Sequence, residues 1–165
     1  MAKLPIRYYG DPVLKEKSTP LDKVEKQIKQ LAQNMAETMY DAAGIGLAAP
    51  QIGTLKRLIV IDIGDNDYVA YVNPEIVYYG DKKEVDEEGC LCLPDISVPI
   101  KRAVKIGFKA VDIQGREVEI DAEDFLARVL QHEIDHLEGF TILERTNPDE
   151  RQKAIKKIME MWDNR

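Results

Sequence analysis

Two cysteines, two histidines and one tryptophan are all that this chain of 165 residues holds of each type. Two cysteines are too few for a disulfide framework and fit a reducing compartment. A bridge between them, at Cys90 and Cys92, would close a very small, strained ring. No run of about 18 apolar residues is present, so nothing reads as a membrane span. Residues 1–6 lack the apolar stretch of a secretory leader, which predicts a cytoplasmic protein. Lys and Arg number 23 against 30 Asp and Glu, and the net charge of −7 argues against a DNA-binding role. Internal repeats, low-complexity stretches and linkers are lacking too, and 44% apolar content supports one domain with a sizeable core.

What is present is concentrated. Both histidines fall in one five-residue word, His132-Glu133-Ile134-Asp135-His136, and both cysteines in another, Cys90-Leu91-Cys92. Two His at i and i+4 on a helix project from one face, so their imidazoles can converge on one ion with Glu133 beside it as a base. The helix is readable without the motif: Phe125, Leu126, Val129, Leu130, Ile134 and Leu137 recur at helical spacing, and Gly139 follows as a stop. A solvated His-Glu helix face would look much the same, and the thiolates weigh against that reading.

The third ligand decides the chemistry. The extended pattern HExxHxxGxxH would need a third His at position 142, which is Ile142. Glu150 and Glu160 are available downstream, but they lie in a charge-rich stretch that reads as a solvated helix. Cys90 is the better donor, since thiolate suits borderline and soft divalent ions. Cys90, His132 and His136 leave a tetrahedral ion one open position, as a catalytic site requires. In an extended segment Cys92 would point to the same side as Cys90, which keeps open an inert Cys2His2 zinc site. Otherwise Cys92 is a small buried residue under the site.

Three words occur in order along the chain: Gly44-Ile45-Gly46-Leu47-Ala48-Ala49-Pro50-Gln51-Ile52-Gly53, Glu88-Gly89-Cys90-Leu91-Cys92-Leu93-Pro94 and Gln131-His132-Glu133-Ile134-Asp135-His136-Leu137. Together they resemble the signature motifs of the peptide deformylases, over essentially the whole length. The resemblance implies one catalytic domain over 1–165. It also implies a metal-dependent hydrolase that removes the formyl group from the N-terminal formyl-methionine of new polypeptides, natively with Fe(II). Zn(II), Ni(II) and Co(II) suit the same ligand types. By the same resemblance Cys90, His132 and His136 bind the metal, Glu133 is the general acid/base, and the Gln51 amide and the Leu91 N–H donate to the oxyanion. Ile45 and Gly46 contact the extended substrate backbone. Cys92 departs from the family's usual serine at that position.

Several further expectations follow from the residues. Gly44 and Gly46 remove Cβ atoms where a substrate backbone approaches, and Gly46 and Gly53 permit conformations closed to other residues. A phosphate loop is excluded, because Gly44-Ile45-Gly46 lacks the continuation and the Lys-Ser/Thr of one. The methionine pocket should be apolar, with Ile45 and Val129 as walls. Without the resemblance Gln51 would read as a surface loop amide. Two rival functions stand beside the hydrolase: a general metallopeptidase and a structural zinc protein.

Periodicity predicts a helix over 22–43, with Val24, Ile28, Leu31, Met35 and Met39 on one stripe and Asp22 with Glu25 as a capping pair. Strands are predicted over 58–63, 68–72, 75–79, 104–112 and 117–120, with turns at 64–67 and 112–115. A last amphipathic helix over 149–163 carries Ile155, Ile158, Met159 and Trp162 on one face, with Arg151, Lys153, Lys156 and Lys157 over the rest. Its expected task is to pack on the sheet, and the resemblance adds docking on the ribosome as a second. The resulting class is α+β, with mostly antiparallel β-sheets packed around a central HExxH-bearing helix and a C-terminal helix.

Overall fold

Leu58–Ile61 is a short apolar run with no polar side chain, and all of it is buried. The computed structural model describes residues 2–64 and 66–163. Met1, at the head of the segment read for a leader, and Asp65, within the 64–67 turn, lie outside the described residues. In chain order the elements are α1 (Lys26–Asp41), β1 (Gly46–Ala48), β2 (Leu58–Ile61), β3 (Val69–Tyr79), β4 (Lys83–Cys90), β5 (Leu93–Ala103), β6 (Lys105–Asp112), β7 (Glu117–Glu123), α2 (Asp124–Leu137), α3 (Ile142–Arg145) and α4 (Pro148–Asp163). Five strands form one antiparallel sheet in the order β1-β2-β3-β6-β7, and β4 pairs with β5 in a separate hairpin. This is the expected α+β architecture, and no helix among the described residues is long and apolar enough to cross a membrane.

Helices cover the two faces of the large sheet. Ile59 and Ile61 of β2 join Phe108, Leu130, Ile134 and Leu137 in the core beneath α2. Leu58 and Val60, pointing the other way, join Ile28, Met35 and Met39 of α1. A strand covered on both faces needs apolar residues at every position, hence the unbroken Leu-Ile-Val-Ile run. The third core lies under the β4-β5 hairpin, where Ile96, Val98 and Ile100 meet Ile142, Leu143, Ala154 and Ile158 of α3 and α4. The helix α2 is thereby clamped between the large sheet and β5, and every residue from Val129 to Leu137 is buried.

Several boundaries differ from expectation. The first helix begins at Lys26 rather than 22, and Glu25 caps it without a side-chain hydrogen bond. The cause is tertiary: Asn73 holds Leu21 at both backbone groups, donating to its carbonyl at 2.7 Å and accepting from its N–H at 2.8 Å. Leu31 is only half-buried on α1, and Val24 precedes the helix. The expected strands over 68–72 and 75–79 are one strand, β3, irregular between Val72 and Glu75, where Asn73 has φ +51° and Pro74 supplies no N–H. On α2 the expected core residue Phe125 is 52% exposed. Gly139 ends that helix at φ +86°. On α4 the buried side chains are Ala154 and Ile158, while Met159 is 59% and Trp162 43% exposed, so the apolar stripe is turned from its expected phase. The hairpin β4-β5 was not among the predicted strands.

Candidate active site

Cys90 ends β4, and its backbone pairs directly with Leu93. Leu91 and Cys92 therefore form a two-residue turn, not the extended segment expected for them. The turn delivers the Cys90 thiol to the face of α2 on which His132 and His136 stand one turn apart, with ring centroids 5.2 Å from each other. Donor atoms of Cys90, His132 and His136 all lie within 4.8 Å of one another, and Cys90 Sγ is 3.2 Å from His136 Nε2. Cys92 is outside this convergent group. It is fully buried, with its sulfur 3.2 Å from Cys90 Sγ, and packs into the core beneath the hairpin. Two imidazoles and one thiol this close together are a donor set that could hold a divalent metal ion.

The electrostatics favour a cation in this cradle. Burial works against charge on His132, but Glu133, Cys90 and Glu88 outweigh it and hold the imidazole pKa well above the usual value. Hydrogen bonding to the Cys92 thiol, then burial, push the Cys90 thiol up to about 12 when only protein groups act on it. A bound cation reverses both preferences, favouring neutral imidazole and thiolate.

Glu133 is buried beside this convergent group, with Oε2 4.0 Å from His132 Nε2 and Oε1 lacking a hydrogen-bond partner among the described residues. Burial pushes its pKa up to about 7, with the Glu88 charge adding to the rise and His132 opposing it. Such a group can both take and return a proton near neutral pH. Gln51 is 1% exposed, which removes the surface-amide reading. Its Oε1 accepts from the Ala48 N–H at 2.8 Å, so the opposite end is the donor, and Nε2 lies 3.3 Å from Cys90 Sγ.

A cavity of about 590 Å³ opens over this floor. Gly44, Ile45 and Gly46 line one wall, Glu88 to Leu91 the other, and Phe125 and Val129 lie on the α2 side. Ile45 and Val129 are thus both at the cavity, Ile45 exposed and Val129 buried. Gly44 and Gly46 also meet close neighbours within the protein. A Cβ on Gly44 would come 2.7 Å from the Leu91 side chain, and one on Gly46 would overlap the Glu133 carboxylate. Gly53 does have φ +86°, whereas Gly46 is ordinary strand backbone.

One group of residues escaped the sequence reading. Glu88 is 7% exposed and accepts from His132 Nδ1 at 2.9 Å, from Arg102 through two nitrogens at 2.9 Å each, and from Arg128 at 2.5 Å. Burial opposes its charge, but the bonds from His132 and Arg102 win and hold the carboxyl well below the usual range. An ionised Glu88 keeps the proton of His132 on Nδ1 and turns Nε2 toward the cradle. Arg102 continues the chain to Asp135 at 2.6 Å, which also accepts from Arg145. Glu88 and Asp135 stand within the quoted motifs, but nothing local marked Arg102 or Arg128 as their partners.

The sequence profile of the polypeptide deformylase family matches residues 3–152. The chain belongs to this family. A peptide deformylase of Dictyoglomus turgidum is 50% identical over 140 residues, covering 85% of this chain and 90% of the relative. The crystal structure of peptide deformylase from Thermotoga maritima superposes with a TM-score of 0.87 at 43% identity, over 90% of this chain and all of that one. The Ehrlichia chaffeensis enzyme in complex with actinonin gives 0.91 at 35% identity, over 98% of each chain. Peptide deformylases are metal-dependent hydrolases that remove N-formyl groups, and the convergent Cys-His-His group agrees with that chemistry.

Proposed function

We propose that the chain removes the formyl group from the N-terminal formyl-methionine of nascent polypeptides and releases formate, acting as one catalytic domain over 1–165. The observation that carries the assignment of roles is the convergence of Cys90, His132 and His136 beside a buried, partner-poor Glu133 at the floor of the cavity. Those three residues would hold one divalent ion, natively Fe(II), with Zn(II), Ni(II) or Co(II) fitting the same donors. Such an ion supplies Lewis acidity and brings the ionisation of water into the neutral range.

The protein's own groups account for the rest. Glu133 takes the proton released from the attacking water and returns it to the leaving amine. The Gln51 Nε2–H and the Leu91 backbone N–H donate to the oxyanion that forms on the formyl oxygen, each contributing roughly 3 kcal/mol to lowering the barrier. The segment Gly44, Ile45 and Gly46, which lines the cavity and leads into the edge strand β1, lets an extended peptide pair through its backbone, which is indifferent to sequence, while Ile45 and Val129 wall an apolar pocket for methionine.

A structural zinc site is not favoured, because Cys92 lies outside the convergent group. A general peptidase would cut unblocked or internal peptide bonds with the same machinery, so such substrates belong in the assay. The cytoplasm is the proposed location. Ribosome docking through α4 is supported by the family resemblance and by the exposed Lys153 and Lys156, and charge reversal at both should weaken cosedimentation with ribosomes.

The test is formate release from a short formyl-methionyl peptide by anaerobically prepared Fe(II) or Ni(II) protein. Release that vanishes in Glu133→Gln while the metal stays bound supports the reading. A protein holding one metal that releases no formate would overturn it.

A further inference from the structure

Cys90 and Cys92 are placed asymmetrically about the hairpin turn. Cys90 lines the cavity and is partly exposed, whereas Cys92 is fully buried and borders a small void with Tyr9, Ile158 and Trp162. Their sulfurs nevertheless touch at 3.2 Å, against a bond length of about 2.05 Å in a disulfide. A reagent entering the cavity reaches one sulfur first, and the other waits behind it. Tyr9 donates its N–H to the Cys92 carbonyl at 2.9 Å and holds the turn in that orientation.

We propose that Cys90 and Cys92 form a reversible thiol modification site whose oxidant is a hydroperoxide. The Cys90 sulfur attacks the outer oxygen of the peroxide; the O–O bond breaks, an S–O bond forms, and the thiol proton leaves with the alcohol or water released. Cys90 is then a sulfenic acid. The Cys92 sulfur attacks that sulfur, the S–S bond forms as the S–O bond breaks, and the departing hydroxyl leaves as water with the Cys92 proton. Two thiols have lost two electrons in all, and the peroxide has been reduced to alcohol and water. A nearby second thiol diverts sulfenic acid from the irreversible sulfinic and sulfonic states. A disulfide across a two-residue turn is strained, and strained disulfides are readily reduced.

The consequence for activity rests on the deformylase reading, in which Cys90 is a metal ligand. Oxidation would release the metal and reduction would restore its site, so the enzyme survives exposure that would otherwise destroy the ligand. Serine at 92 could not resolve the sulfenic acid.

The experiment exposes metal-loaded wild-type protein, Cys92→Ser and Cys92→Ala to hydrogen peroxide, then to dithiothreitol and fresh metal. Free thiols, intact mass, bound metal and formate release are read at each stage. Wild-type protein should lose both thiols and two hydrogens of mass, yield a digest fragment with Cys90 bonded to Cys92, and recover thiols and metal on reduction. Both variants should instead gain oxygen atoms at Cys90 and recover neither. Wild-type protein that gains the same oxygens as the variants and stays modified overturns the proposal. Thiols and mass are independent of formate release, so a protein with the reversible pair but no initial release would retain this site while the deformylase reading fell.

Discussion

Gly46 lies against the Glu133 carboxylate, so near that a Cβ on its backbone would overlap Oε2. The strand cannot easily yield: Gly46 is registered opposite Ile61, and the neighbouring Ile45 carbonyl accepts from the Asp62 N–H at 2.9 Å. Glu133 must move instead. Gly46→Ala should therefore lower kcat by about 100-fold, the scale of an ångström-sized displacement of a catalytic group. Metal content and melting temperature should stay near wild type. A variant with unchanged kcat would count against Glu133 as the base.

Glu88 connects His132 to Arg102 and Arg128, and removing its charge acts on the ligand from behind. Glu88→Gln keeps the shape but cannot hold the His132 proton on Nδ1 as firmly, and leaves two guanidinium groups short of a counter-charge. Metal affinity should fall roughly 10- to 100-fold, the usual effect of losing a partner that orients a ligand. A competition titration with a chromogenic chelator measures this directly. Equal affinity in the two proteins would leave Glu88 with a purely structural role.

Local pattern carried much of this architecture. The α2 helix and the two histidines that converge with Cys90 were legible because five consecutive residues hold both histidines and Glu133, and apolar spacing marks the helix around them. The start of α1 was not, because Asn73, 52 positions away, decides it by binding Leu21. The β4 strand is almost wholly exposed and charged and shows no alternation to read. In β5 Ile96, Val98 and Ile100 alternate, but Pro94 and Pro99 in the same run argue against a central strand while suiting one paired on a single side. Glu88 illustrates the same limit at the site: Arg102, Arg128 and His132 lie 14, 40 and 44 positions away, and only the fold brings them together.

Gln51 accepts from the Ala48 N–H at one end and donates toward Cys90 Sγ from the other. Its Oε1 is committed to the Ala48 N–H, which fixes Nε2 toward the thiol edge of the cradle. Gln51→Leu removes the donor with little change in volume. On the proposed mechanism kcat should drop about 100- to 1,000-fold, with a smaller change in KM, because the bond strengthens only as charge develops on oxygen. A loss confined to KM would place Gln51 in ground-state binding instead.

The phase of α4 decides which of its apolar residues matter to stability. Ile158 is 5% exposed in the core beneath the hairpin, whereas Met159, its neighbour in the chain, is 59% exposed. Ile158→Ala should lower unfolding free energy by about 2–5 kcal/mol, the range for truncating a buried aliphatic side chain. Met159→Ala should fall within about 0.5 kcal/mol of wild type, as exposed substitutions do. Denaturant titration of both variants separates the two phases. The reverse order would mean that α4 packs with Met159 inward, and equal losses would mean that neither residue dominates the contact with β5.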